Sequence, residues 1–409
     1  MTRRPGVTLL LFVVLASGCA APRRDSPPVA DFLLVAGDST YWVTAQPAGF
    51  RMRGEPLILA RFGGRFHEVY VADDDHSYED ALLVGQFVFS RDLITDDSTI
   101  VFVDTLVDRV ARAYAAAHPD EAPLDPDDPV DDLPIVTATS EVTLLDVDGP
   151  YLSLEYHADT RRRPEPGFHT TWRTVVDMRT GNPVRLDDLI GPAAASRVVD
   201  QGRRSYTALL DSARGRMSEL PDIVPLVLAE VSFDPGSFTL VQLHGRPAVE
   251  FAGRMSGRQD VLNVLHLPVL PIDSEAWWAE VRPTLPMPTA DGREQWVRPG
   301  YTVRAAADTM DGSIDVTLVD STHHVWALGR VHAPLRHVFW LDRPRIDSTT
   351  RLALRRAFDD AVSYGEDVRV ARLRLPLALG SRVRAASNVR ISSPRPAVRR
   401  PVRRRPATP

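Results

Sequence analysis

The sequence predicts an α+β protein: several β-rich modules, each with one packed helix, antiparallel sheets and a disordered C-terminal tail. Three observations predict it. Apolar and polar residues alternate with period two through residues 151–157, 169–177 and 237–243, the pattern of strands with one buried face. Apolar stripes with helical spacing interrupt the strand runs, bounded by caps or stops. Between these blocks lie segments whose prolines and like charges keep them from burying a core.

The chain opens with Arg3 and Arg4, continues through the apolar run 7–16, in which only Thr8 is polar, and reaches Ala16-Ser17-Gly18-Cys19. A helix over that run is about 15 Å long, half a bilayer's hydrocarbon thickness, so the run reads as an export signal and not as a spanning segment. The small residues fit a peptidase cleft and lead into the single cysteine of the chain. This segment resembles the lipobox of bacterial lipoproteins. The resemblance implies a signal peptide over 1–18, lipidation of Cys19 and attachment to a membrane. Ala20 stands where an inner-membrane retention signal often places Asp, which points to the outer membrane of the cell envelope.

Residues 19–31 form a tether. A β-rich α+β domain is expected over 32–118, with strand runs at 41–44, 57–62, 66–71, 82–89 and 99–103. Its helix is capped by Asp104 or Thr105, carries the stripe Leu106, Val107, Val110 and Tyr114, and stops at Pro119. Residues 119–134 hold five prolines and seven acids, a self-repelling linker. A second α+β domain is expected over 135–275, with a helix over about 193–214 that presents Val198, Val199, Tyr206, Leu209, Leu210 and Ala213 on one side.

Pro283, Pro286, Pro288 and Pro299 mark 276–299 as another linker. A β-meander plus helix should follow over 300–380, with strands at 301–307, 313–319, 324–331 and 336–341. Its helix starts near Asp347 or Ser348, buries Leu354, Phe358, Ala361 and Val362 and ends at Gly365, ahead of a last strand at 368–375. Residues 381–409 form a basic, proline-rich tail. All 48 basic residues are Arg. Twelve fall between Arg369 and Pro409 with no acid, so the preceding chain carries −18 to reach the overall −6. Outside the cytoplasm such a tail meets envelope polyanions, and no nucleic-acid partner is expected.

The most specific internal pattern is Asp177-Met178-Arg179-Thr180-Gly181 followed by Leu186-Asp187-Asp188-Leu189. Asp177 ends a strand, Thr180 and Gly181 supply the turn, and Asp187 or Asp188 caps the next helical turn. The pattern resembles the signature of RsiV-like extracytoplasmic domains, of unknown function in many lipoproteins. The similarity spans roughly 135–273. It departs from the family where a Gly-Gly-Ala-His loop is usual, since here the chain reads Glu155-Tyr156-His157-Ala158-Asp159 and then Arg161-Arg162-Arg163. The later aromatic and glycine motif is reduced to Phe251-Ala252-Gly253-Arg254. The resemblance implies a fold and no catalytic residue, so the protein is not expected to be an enzyme.

If 151–157 pairs with 169–177, the polar face aligns His157 with His169, Glu155 with Thr171 and Ser153 with Arg173, while Leu152, Leu154, Trp172 and Val176 face the core. His157, His169, Glu155, Arg173 and the loop Arg161, Arg162 and Arg163 are then the candidate binding surface for an anionic envelope polymer or an envelope protein. No cofactor and no metal ligand set is expected. His323, His324, His332 and His337 crowd together in sequence but alternate between faces, and Asp73, Asp74 and Asp75 with Glu79 and Asp80 lack calcium-loop spacing.

Two other functions compete with a lipid-anchored binding or scaffolding protein. One is a secreted serine hydrolase of Gly-Asp-Ser type using Ser39, with Asp320 and His323 at the family's spacing. There the family's helix is replaced by a strand pattern. The other is a purely structural periplasmic protein.

Overall fold

In the computed structural model of the chain, the described residues are 31–124, 134–216, 231–243, 245–257, 265–273, 276–289, 294–307, 312–341 and 346–374. Cys19, the expected export signal, most of the acidic segment 119–134 and the basic tail lie outside them.

Alternating sequence becomes paired strand. The first sheet contains β1 (Phe32–Ala36), β2 (Ser39–Gln46), β3 (Gly49–Glu55) and β21 (Leu335–Trp340), in the order β21-β1-β2-β3. All of β1 is apolar and buried, because it is covered on both faces. Phe32, Leu34 and Ala36 join one core with Trp296 and Leu318, while Leu33 and Val35 join another with Leu354 and Phe358.

The second sheet runs β12-β13-β10-β9-β8-β6-β5-β4 along its main path. It holds β4 (Ile58–Phe62), β5 (Arg65–Asp75), β6 (Ala81–Asp92), β8 (Val136–Asp148), β9 (Tyr151–Arg162), β10 (Phe168–Asp177), β12 (Val231–Leu243) and β13 (Arg246–Gly257). Four short strands join its flanks: β7 (Ser98–Val103), β11 (Asn182–Pro183), β14 (Leu265–His266) and β15 (Leu270–Pro271). A third sheet has the order β16-β17-β18-β19-β20, from β16 (Met287–Pro288) and β17 (Glu294–Arg298) through β18 (Tyr301–Ala307), β19 (Ile314–Asp320) and β20 (Val325–Val331).

Among the described strands, pairing is antiparallel except between β6 and β8. Parallel neighbours need a crossover, and α1 (Thr105–Ala117) with the segment after it supplies one. Asp104 caps α1, accepting from the N–H groups of Leu106 and Val107, and Val107, Ala111 and Tyr114 bury its inner stripe. Among the described residues four more α-helices follow: α2 (Leu186–Ile190), α3 (Pro192–Arg216), α4 (Ala276–Val281) and α5 (Ser348–Arg374).

Several sequence expectations change here. The three modules are not separate in their sheets: β1 pairs with β21, and strands from 58–103 share a sheet with those from 136–257. Residues 276–299 are no linker. Trp277, Trp278, Val281 and Leu285 are buried against Phe238 and Phe251, and Trp296 is 1% exposed, so the apolar content of this segment outweighed its prolines. The last helix runs through Gly365 to Arg374, replacing the expected strand, since one glycine costs a helix only about 1 kcal/mol.

Where the sheets meet, Asp146 at the end of β8 lies 3.1 Å from Arg336 and 3.8 Å from His337, both on β21. Asp148 beside it is buried. Burial, and then the Asp146 charge, push its carboxyl well above the usual carboxylate range, partly offset by Arg336.

Candidate functional site

The hairpin of β9 and β10 carries the residues singled out from the sequence. Its ladder pairs Asp159 with His169, His157 with Thr171, Glu155 with Arg173 and Ser153 with Val175. The expected register is therefore displaced by two residues, because β9 continues to Arg162 and β10 begins at Phe168, leaving only 163–167 for the loop. A shift of two leaves every side chain on its face. What changes is who touches whom.

At the inner end, Arg173 is 7% exposed. Its Nε donates to Glu155 (2.8 Å), its Nη1 to Glu250 (3.0 Å), and its backbone N–H to Ser237 Oγ (3.1 Å). His266 Nδ1 lies 3.2 Å from the other Glu250 oxygen. Glu155 and Arg173 are thus consumed by a network that ties β9 and β10 to β12 and β13. At the outer end, one carboxylate meets two rings. Asp159 contacts His169 Nδ1 through Oδ1, and His157 Nε2 lies 3.2 Å from the same oxygen. His157 Nδ1 is 2.8 Å from Thr171 Oγ1. Partial burial pushes the Asp159 carboxyl up, but hydrogen bonds from His157 and His169 outweigh it and hold it at about 2.

This His-Asp-His group escaped the sequence reading, which placed no metal ligands there. The signal was present as a His-x-Asp spacing on one strand with a histidine across from it. Only the register joined them.

The opposite face of the hairpin floors a groove against α1 and β7. Phe102, Tyr156 and Trp172 stand with ring centroids 5.1–6.1 Å apart. The Tyr156 hydroxyl donates to Asp104 (2.7 Å), which ties the floor to the cap of α1; burial, then that bond, raise the phenol's pKa. One part of the groove is a cleft of about 720 Å³ with Arg109 and Arg254 at its rim, and the next, of about 390 Å³, reaches Arg161 and Arg162. Phe168, 40% exposed, lines both. Arg163 is half-buried, and its N–H donates to the Ile135 carbonyl (2.9 Å).

The turn motif is structural. Thr180 and Gly181 donate their N–H groups to the Asp177 carbonyl, and Gly181 takes φ +70°, where a Cβ would sit 3.0 Å from the Ile100 carbonyl oxygen. The helix cap differs from expectation. Arg185 occupies the N-cap of α2 but makes no side-chain capping bond, its guanidinium meeting the Asp187 carboxylate instead (3.0 Å), while Asp187 and Asp188 sit inside the first turn, where the helix dipole favours acids. Leu186 and Leu189 pack into the core beneath.

The remaining candidates disperse. Ser39 opens β2, not a helix, and its hydroxyl donates to Asp38 (2.9 Å). Asp320 accepts from Thr322, the His324 N–H and Trp326 Nε1. His323 occupies a turn at φ +64°, His324 packs on Trp326, and His337 is buried beside Thr284. Asp73 binds Gln86, Asp74 meets His76 and Asp75 accepts from the Ser77 N–H.

The fold defines a β-rich α+β protein with antiparallel sheets. No family model and no curated protein matches the chain. Among solved structures it is similar to a DUF3298 family member from Bacteroides fragilis NCTC 9343, at 9% identity and a TM-score of 0.26, covering 47% of this chain and 90% of that one. It is also similar to a DUF3298 family protein from Pseudomonas aeruginosa PAO1, at 13% identity and a TM-score of 0.26, covering 51% and 88% respectively.

Proposed function

We propose that this chain is a noncatalytic lipoprotein, held at the outer membrane by lipid on Cys19, that binds an anionic envelope polymer in the groove along α1. The groove is the observation that carries the ligand. Its aromatic floor offers flat apolar contact, and exposed Arg109, Arg161, Arg162 and Arg254 outnumber Asp234 and Glu165 around it. Arginines at such a rim recognise carboxylate or phosphate groups in fork geometry. The anchor rests on the apolar run and small residues that lead into Cys19. The RsiV-like resemblance of the 177–189 motif supports an extracytoplasmic setting.

Two experiments test the two halves of this reading. Cys19→Ser should move the protein from the membrane to the soluble fraction of cells; a variant that stays with the membrane overturns the anchor. Replacing Arg109, Arg161 and Arg162 together by Ala should weaken salt-sensitive binding to isolated anionic envelope polymer by about tenfold or more, since each charge-assisted contact contributes on the order of 1 kcal/mol. Unchanged binding removes the groove as the site. No saturable binding by the unaltered protein would favour the purely structural alternative.

A further inference from the structure

We propose that His157, Asp159 and His169 form a binding site for a transition-metal dication of the zinc type, with two imidazole nitrogens, one carboxylate and an open fourth position. One ligand atom from each residue falls within a set whose members all lie within 4.8 Å of one another. Tetrahedral coordination with bonds of about 2.1 Å places neighbouring donors roughly 3.4 Å apart. His157 Nε2 is already 3.2 Å from Asp159 Oδ1, and His169 Nδ1 contacts that same oxygen. Small side-chain rotations, with no change of backbone, open this triangle to an ion.

The backbone explains why these three converge. Asp159 and His169 are direct partners in the β9–β10 ladder, and His157 lies two residues away on β9, so all three project from one face of paired strands. Neighbouring strands hold their donors more precisely than a loop does. The second nitrogen of His157 is engaged by Thr171 Oγ1, the kind of outer contact that orients a metal-binding imidazole. Side-chain exposures of 33% for His157, 35% for Asp159 and 28% for His169 leave a path for the ion and room for a water as fourth ligand.

The donor set selects the ion class. Two neutral imidazoles and one carboxylate suit Zn²⁺, Cu²⁺ or Ni²⁺, whereas Ca²⁺ and Mg²⁺ prefer all-oxygen sites. Glu141, opposite His157 on β8, adds a second carboxylate to that face, and Arg161, two residues beyond Asp159, opposes it. The triad and the groove floor use alternate residues of the same strands and so opposite faces, and the metal test alters none of the arginines changed in the groove test.

The full chain, solubilised in detergent and stripped with chelator, is titrated with Zn²⁺ against a chromophoric competitor. One saturable site per chain is expected. His157→Gln, His169→Gln and Asp159→Asn should each weaken it by about tenfold or more, whereas His324→Gln should leave it unchanged. Circular dichroism checks that each variant is folded. Cu²⁺ bound to the unaltered protein should give an electron paramagnetic resonance spectrum with coupling to two imidazole nitrogens, a readout that needs no variant. No saturable Zn²⁺ site, full affinity in folded His169→Gln, or equal competition by Ca²⁺ would each overturn the assignment.

Discussion

Two ends of one ladder put ionic side chains to different use. Glu155, Arg173, His157, Asp159 and His169 project from the same face of β9 and β10, yet the Arg173 side chain is 8% exposed and that of Asp159 35%. Cover makes the difference. Ser237 on β12 and Glu250 on β13 close over Arg173 and complete its hydrogen bonds, while the outer triad faces solvent with its donors turned toward each other. A charge under a second layer becomes a clamp, because leaving it unpaired there is costly; a similar group at the rim stays available for chemistry.

The largest test of that contrast is Arg173→Ala. It leaves Glu155 and Glu250, both partly exposed, without their shared cation. Breaking a fully buried pair typically costs about 3–5 kcal/mol, so with solvent reaching the carboxylates a loss of roughly 2–3 kcal/mol is expected. Urea unfolding should show a loss of that size; a change below about 1 kcal/mol would break the comparison.

A second test uses pH, since Asp148 and Asp159 are displaced in opposite directions. For Asp148 the folded form holds its proton more tightly than the unfolded chain. Stability is then lost as pH rises from the ordinary carboxylate range through the raised folded value, and Asp148→Asn should remove that decline. For Asp159 the folded form holds its proton less tightly. Its contribution is full above the ordinary value and is lost as pH falls toward about 2. Asp159→Asn should flatten that acid limb, by no more than about 1 kcal/mol because the group is screened by solvent. Thermal melts across pH read both effects, and the same sign of change in both variants would contradict the electrostatic account.

The smallest effect belongs to the hairpin tip. Arg161→Ala with Arg162→Ala should change stability by less than about 0.5 kcal/mol, since both side chains are exposed, and a larger loss in denaturant would mean that the tip is structural.

Much of this architecture was legible in the residues. Alternation over 151–157 and 169–177 assigns each side chain to a face whatever the register, so Leu152, Leu154 and Val176 read as core and His157, Glu155 and Arg173 as their opposite. Asp104 ahead of an apolar stripe announces α1, and Gly181 after Thr180 announces a tight turn. Register was not legible. It depends on where the loop closes, and the strand pattern over 157–162 is too polar to reveal that β9 continues. Trp277 and Trp278 were hidden among prolines, because a short helix buries its side chains only against sheets supplied by distant sequence.

Local chemistry alone therefore determined the strand-rich character, the faces, the cap of α1 and the small-residue approach to Cys19, since each depends on neighbours a few residues apart. Tertiary structure decided that β1 pairs with β21, that Arg173 is sealed between two glutamates, and that Asp159 stands between two histidines. Those outcomes join segments up to some 300 residues apart, and such pairing is settled by which surfaces bury each other.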